Sequence, residues 1–136
     1  MEYKEIINKS KYWESSSDSD LQVARDLLKS KHYPQCLFFC HLSLEKALKA
    51  IIIKDVKIYP PYTHDLRKLA EITGIKLNLK QTQILDKISA FNIAGRYGDE
   101  KLKFYKEYNK KTYAEKQLKV VEELILWLRK ESQKKQ

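Results

Sequence analysis

Glycine and proline are scarce, with three of each in 136 residues. A sheet-rich fold needs many tight turns that draw on both, so an all-β architecture is excluded. Cysteine is scarcer still. Two residues cannot build a disulfide framework, and a reducing cytoplasm is the expected location. Long apolar runs are missing: Ala50-Ile51-Ile52-Ile53 is far too short to cross a bilayer, so no membrane association is expected. The opening stretch MEYKEIINKSKYWESSS is charged throughout and has no apolar h-region, so no secretory signal is expected either. Gly74, Gly95 and Gly98 do not cluster into a phosphate-cradling loop. Cys36, Cys40 and His41 fall short of the four ligands a tetrahedral metal site takes, and they sit among Leu and Phe. The cysteines read as small buried hydrophobes, and neither a metal nor a cofactor is expected.

What is present in excess is lysine. The chain carries 27 Lys+Arg against 18 Asp+Glu, a formal charge of +9, and only four of the cations are arginine. Basic balance suits nucleic acid or another anionic surface, but a lysine-rich surface often only keeps a protein soluble. The positive charge is concentrated from 101 to 119, where seven lysines meet two glutamates. There Lys101, Lys103, Lys106, Lys110 and Lys111 alternate with Phe104, Tyr105, Tyr108 and Tyr113. Cations beside stacking aromatics are what single-stranded nucleic acid binding uses, and these five lysines are the candidate nucleic-acid contacts. The alternative is a solvated loop whose aromatics pack inward.

Helical periodicity dominates the chain. Ser17, with Asp20 three residues on, predicts a helix start before the stripe Leu21, Ala24, Leu27 and Leu28. Pro34 suits the first turn of a second helix, whose run from Cys36 to Ile53 is apolar on most sides and should lie centrally. Tyr59-Pro60-Pro61-Tyr62 reads as a loop. A short helix is expected from His64 to Ile72, capped by Thr63 and stopped by Gly74. Another spans about Lys80 to Ile93 and ends at Gly95. Arg96 to Lys111 reads as an irregular connection. Thr112 and Glu115 fit a capping box before the stripe Ala114, Leu118, Val121, Ile125 and Leu128, and Lys130 to Gln136 should fray. No repeat or linker divides the chain, so residues 1–136 form one expected domain: an all-α, up-and-down four-helix bundle with an additional short helix.

The polar residues of the second helix stand out against its apolar faces. Glu45 and Lys49 are four apart and share a face. Exposed, such a pair is worth a few tenths of a kcal/mol; buried, it needs further partners and can organise a polar site.

Taken together these residues resemble the HEPN domain family. The resemblance rests on Trp13, Ala24-Arg25-Asp26-Leu27-Leu28, Ser43-Leu44-Glu45-Lys46-Ala47-Leu48-Lys49-Ala50, Tyr59-Pro60-Pro61, His64-Asp65-Leu66 and Arg96-Tyr97-Gly98-Asp99. It covers about residues 10 to 130. It implies a helical bundle, a homodimer and a role in toxin–antitoxin-like systems, either as a ribonuclease or beside a nucleotidyltransferase partner. The family's nucleases use Arg-x(4–6)-His, yet no histidine follows Arg96 or Arg67 in this chain. Arg25 and His32 have that gap, but in the first-helix pattern rather than where the nuclease motif lies. No catalytic residue is therefore assigned. The expected role is non-catalytic, binding a nucleotide or a nucleotidyltransferase, with Glu45, Lys49, His64, Asp65, Arg96, Tyr97 and Asp99 as candidate ligand contacts. The alternatives are RNA binding or an atypical ribonuclease using Arg96 with Tyr97 or His64, and a fold-only interaction module. Convergence of Glu45, Lys49, His64 and Arg96 in one cleft separates the ligand-binding readings from the scaffold.

Overall fold

A computed structural model describes residues 1–93 and 97–134. The described residues hold six α-helices and no strand: α1 (Tyr3–Lys29), α2 (Tyr33–Ile51), α3 (Leu66–Thr73), α4 (Leu79–Ser89), α5 (Gly98–Glu107) and α6 (Lys111–Lys134). A π-helical turn, Ile52–Val56, extends α2.

The first helix starts well before Ser17. Ser17 is instead fully buried in mid-helix, where its hydroxyl donates to the Ser43 carbonyl at 2.7 Å. Ser43 answers by donating to the Ser17 carbonyl at 2.8 Å. Ser10 donates likewise to the Ala50 carbonyl of α2. These pairings run in opposite directions along the two helices, so α1 and α2 are antiparallel. Ile6, Ser10, Ser17, Leu21 and Ala24 keep a helical spacing, but two of those buried positions are serines. Small side chains let the backbones approach closely, and each hydroxyl finds a carbonyl so that burial leaves it satisfied. Tertiary packing overrides serine's weak helix propensity here.

One core is centred on α2. Cys36, Leu37, Cys40, Leu44, Leu48 and Ile52 are wholly buried, among residues from α1, α3, α4, α6 and Phe104 of α5. Both cysteines are free. Helix α6 runs antiparallel to α1, tied by Arg25–Glu122 and by Asp18–Arg129. The end of α6 stays helical to Lys134, past the expected fraying point. Ser132 is buried there and donates to Asp55 of the π turn at 2.7 Å.

Several boundaries move for identifiable reasons. Asp65, not Thr63, caps α3 by accepting from the Arg67 and Lys68 amides, and Gly74 stops the helix at φ 73° as expected. Asn78 and Gln81 form a reciprocal capping box at the head of α4. Gly95 lies outside the described residues. The stretch read as irregular holds α5, and α6 begins at Lys111, so Thr112 sits inside its first turn. Phe104 is buried against Tyr108 at 4.9 Å between ring centroids. Phe91 meets Tyr108 at 5.3 Å and Tyr113 at 6.1 Å. The aromatics of the basic segment therefore face the bundle, while Lys101, Lys103, Lys106, Lys110 and Lys111 are exposed.

Candidate functional site

Glu45 lies on the central helix, 4% exposed, and three cationic or ionisable side chains converge on it. Lys49 Nζ stands 3.0 Å from Oε2, one turn further along α2. His64 Nδ1 stands 2.8 Å from Oε1, reaching in from the residues that precede α3. His41, one turn earlier on α2, places Nε2 3.8 Å from the same Oε1. Lys49 also lies 5.3 Å above the Trp13 ring of α1. Both members of the Glu45–Lys49 pair are thus buried, and each has a further partner.

His41 fixes the position of His64. Its Nε2 is 3.2 Å from the His64 carbonyl, which can only accept, so that nitrogen carries the proton. Nδ1 is then the bare nitrogen, and it is buried without a partner. Burial pushes the His41 imidazole below its ordinary value of 6.5, against the raising effect of the His64 carbonyl and Glu45. A neutral imidazole is consistent with that tautomer. The His64 ring is oriented at one end by the Glu45 carboxylate and carried by a backbone that His41 holds. Its side chain is 44% exposed, and Nε2 has no hydrogen-bond partner among the described residues.

The remaining candidates fall elsewhere. Asp65 spends its carboxylate on the α3 cap. Tyr97 is the residue before α5 and is 82% exposed; Asp99 sits in the first turn of that helix, where a negative charge suits the dipole. Among the described residues, no hydrogen bond or ion pair ties Tyr97 or Asp99 to Glu45, Lys49 or His64. Arg96 lies outside the described residues. Lys49 is buried in its ion pair with Glu45, which leaves His64 as the accessible group of the cluster.

The position of Tyr62 beside His64 was not anticipated from the sequence. That residue is 96% exposed and stands edge-on to His64, ring centroids 5.8 Å apart. The signal available was its place beside two prolines, two residues before a histidine. His41 was visible as a polar residue on an apolar helix, though its partner 23 residues away was not.

The sequence places this helical bundle in a known family. Residues 10–132 match the HEPN domain family model, and the chain belongs to that family. Over 53 residues it is 38% identical to a protein of Methanocaldococcus jannaschii named as a putative toxin. That match covers 39% of this chain and 35% of the relative, so the chain matches about a third of that protein's length. The fold is similar to the crystal structure of TT1696 from Thermus thermophilus. The TM-score is 0.75 at 15% identity, covering 91% of this chain and 98% of that one.

Proposed function

We propose that the chain is a HEPN module of a toxin–antitoxin-like system that binds the phosphate of a nucleotide or RNA at His64. The observation that carries this reading is the half-exposed imidazole anchored by a buried ion pair. A buried ion pair is weak evidence for stability, because its desolvation offsets much of its attraction. Buried ionisable groups gathered behind one half-exposed side chain are also the pattern of a binding site. Glu45 accepts from Nδ1–H and leaves Nε2 outward, on the side from which a phosphate oxygen approaches. Lys49 balances the Glu45 charge, so the carboxylate does not itself repel an anion. The family resemblance supports a nucleotidyltransferase as protein partner and a second copy of the chain as dimer partner. Titration calorimetry with nucleoside triphosphates tests the ligand. Binding by the native chain and its loss in His64→Ala are expected, and equal affinity in the variant rejects the site. Copurification with a nucleotidyltransferase encoded beside it tests the partner.

A second reading, an atypical ribonuclease, is favoured by the same dyad. A carboxylate-oriented imidazole with an open Nε2 is the arrangement of a general acid or base. Cleavage of labelled single-stranded RNA that disappears in His64→Ala and in Arg96→Ala supports it. Uncut RNA leaves the binding role alone.

A further inference from the structure

Resting on the phosphate site at His64, we propose that Tyr62 is its specificity-determining residue. The base of a nucleotide stacks on the Tyr62 ring while the adjoining phosphate meets His64. The ligand chemistry is therefore a base, sugar and phosphate unit rather than a bare phosphate.

Trp13, its neighbour Tyr12, and Tyr59 of the same loop as Tyr62 each have a partner within the protein. Trp13 lies under Lys49, and Tyr12 packs against its edge with centroids 5.6 Å apart. Tyr59 gives its hydroxyl to Glu5 and lies beneath Lys9, whose Nζ is 5.4 Å from the ring centroid. Tyr62 alone gives the protein almost nothing. At 96% exposure it withholds an area that aromatic residues ordinarily bury, and its ring contact is the edge-on one with His64. Packing therefore does not account for its position.

The backbone does account for it. Pro60 and Pro61 lock two successive φ angles just before Tyr62. The Thr63 amide then donates to the Pro61 carbonyl at 2.9 Å, closing a tight turn around Tyr62. Two residues later His41 holds the His64 carbonyl. An aromatic face and an outward imidazole are thus set at a fixed spacing on a stiff segment, which lowers the ordering cost of binding. Every nucleobase offers a π face to such a ring, and an exposed tyrosine beside a phosphate contact is how single-stranded nucleic acid is held. The segment 101–113, where sequence reading looked for stacking, has Phe104, Tyr108 and Tyr113 turned into the bundle.

The same unit occurs free and within a strand, so the test compares three probes on the full chain: a nucleoside triphosphate, a short single-stranded oligonucleotide and inorganic tripolyphosphate. Tyr62→Ala is expected to weaken the nucleotide-bearing probes about tenfold, the size of one lost base stack, and to leave tripolyphosphate unchanged. Tyr62→Phe, which keeps the ring, should retain most of the affinity. His64→Ala should weaken all three. Tyr62 is too exposed for its truncation to alter the melting temperature, which serves as the folding control. Nucleotide affinity in Tyr62→Ala equal to the native chain, while tripolyphosphate still depends on His64, overturns the role of Tyr62 and spares the phosphate site. Failure of every probe to bind the native chain overturns both. Preference for the oligonucleotide over the triphosphate identifies the strand as the source, and the reverse identifies the free nucleotide.

Discussion

At the scale of single residues, the cluster around Glu45 couples stability to pH through His41. The folded chain holds that imidazole below its ordinary value of 6.5 because burial disfavours the charged form. As pH falls through 6.5, the unfolded chain takes up this proton before the folded chain does. The unfolded state then binds more protons, so stability declines on acidification until the folded His41 protonates as well. The slope from this one group is at most about 1.4 kcal/mol per pH unit. Thermal melts at about pH 7.5 and about pH 5 should show a smaller acid-induced drop in His41→Gln than in the native chain, because glutamine does not titrate. An equal drop in both would assign the dependence to other groups. Glu45, Lys49 and His64 all face this ring, so the comparison is between chains that differ only at His41.

At the scale of elements, legibility tracked apolarity. The stripes of α2 and α6 were readable because leucine, isoleucine and valine recur on one face, and the glycine stop of α3 because glycine takes a φ of 73° without the steric cost a side chain brings. The first half of α1 was not readable, since its buried face is carried by Ser10 and Ser17. A serine cluster imitates a loop until the partner carbonyls across α2 are known. The same blindness hid α5, whose single buried anchor is Phe104 among lysines. At the site, Glu45 and Lys49 were legible as a pair at helical spacing, whereas the approach of His64 depended on how a proline-rich loop returns to α2. The serine clasp yields a graded expectation. Ser17→Ala removes the hydroxyl that donates to the Ser43 carbonyl and meets Ser43 Oγ, and should cost about 1 kcal/mol. Ser17→Leu forces extra volume between two close backbones and should cost about 1–3 kcal/mol. Denaturant unfolding checks both, and a leucine variant no less stable than the alanine one would contradict the close approach of α1 and α2.

For the whole molecule, few turn residues and strong helical periodicity foreshadowed the fold, while the family was foreshadowed by the resemblance of motifs such as Glu45-Lys46-Ala47-Leu48-Lys49 and His64-Asp65-Leu66. The net charge of +9 proved less specific. Its densest part lies on exposed faces of α5 and the start of α6. Such lysines attract a polyanion by charge without reading its bases. Replacing Lys101, Lys103, Lys106, Lys110 and Lys111 by glutamine should therefore flatten the salt dependence of oligonucleotide binding. Each phosphate no longer neutralised is expected to reduce the logarithmic slope by about 0.7. Base preference should stay as it is. Titrations across a range of salt measure the slope, and one that does not move would make these lysines purely solubilising.

The π turn that closes α2 has a geometric consequence for everything after it. The Lys57 amide reaches back five residues to the Ile52 carbonyl, at 3.1 Å, and Lys57 turns left-handed at φ 63°. Such a turn holds one residue more per hydrogen-bonded ring than an α-helix does. The chain that leaves it, with Tyr62 and His64 aboard, departs at an angle fixed by that count. Shortening the turn by one residue would rewind it into α-helix and swing the departing strand of chain by about 100° around the helix axis. Side-chain replacement at Lys54 or Val56 changes no such angle. The segment behaves as a measured spacer, and its length sets where the imidazole arrives.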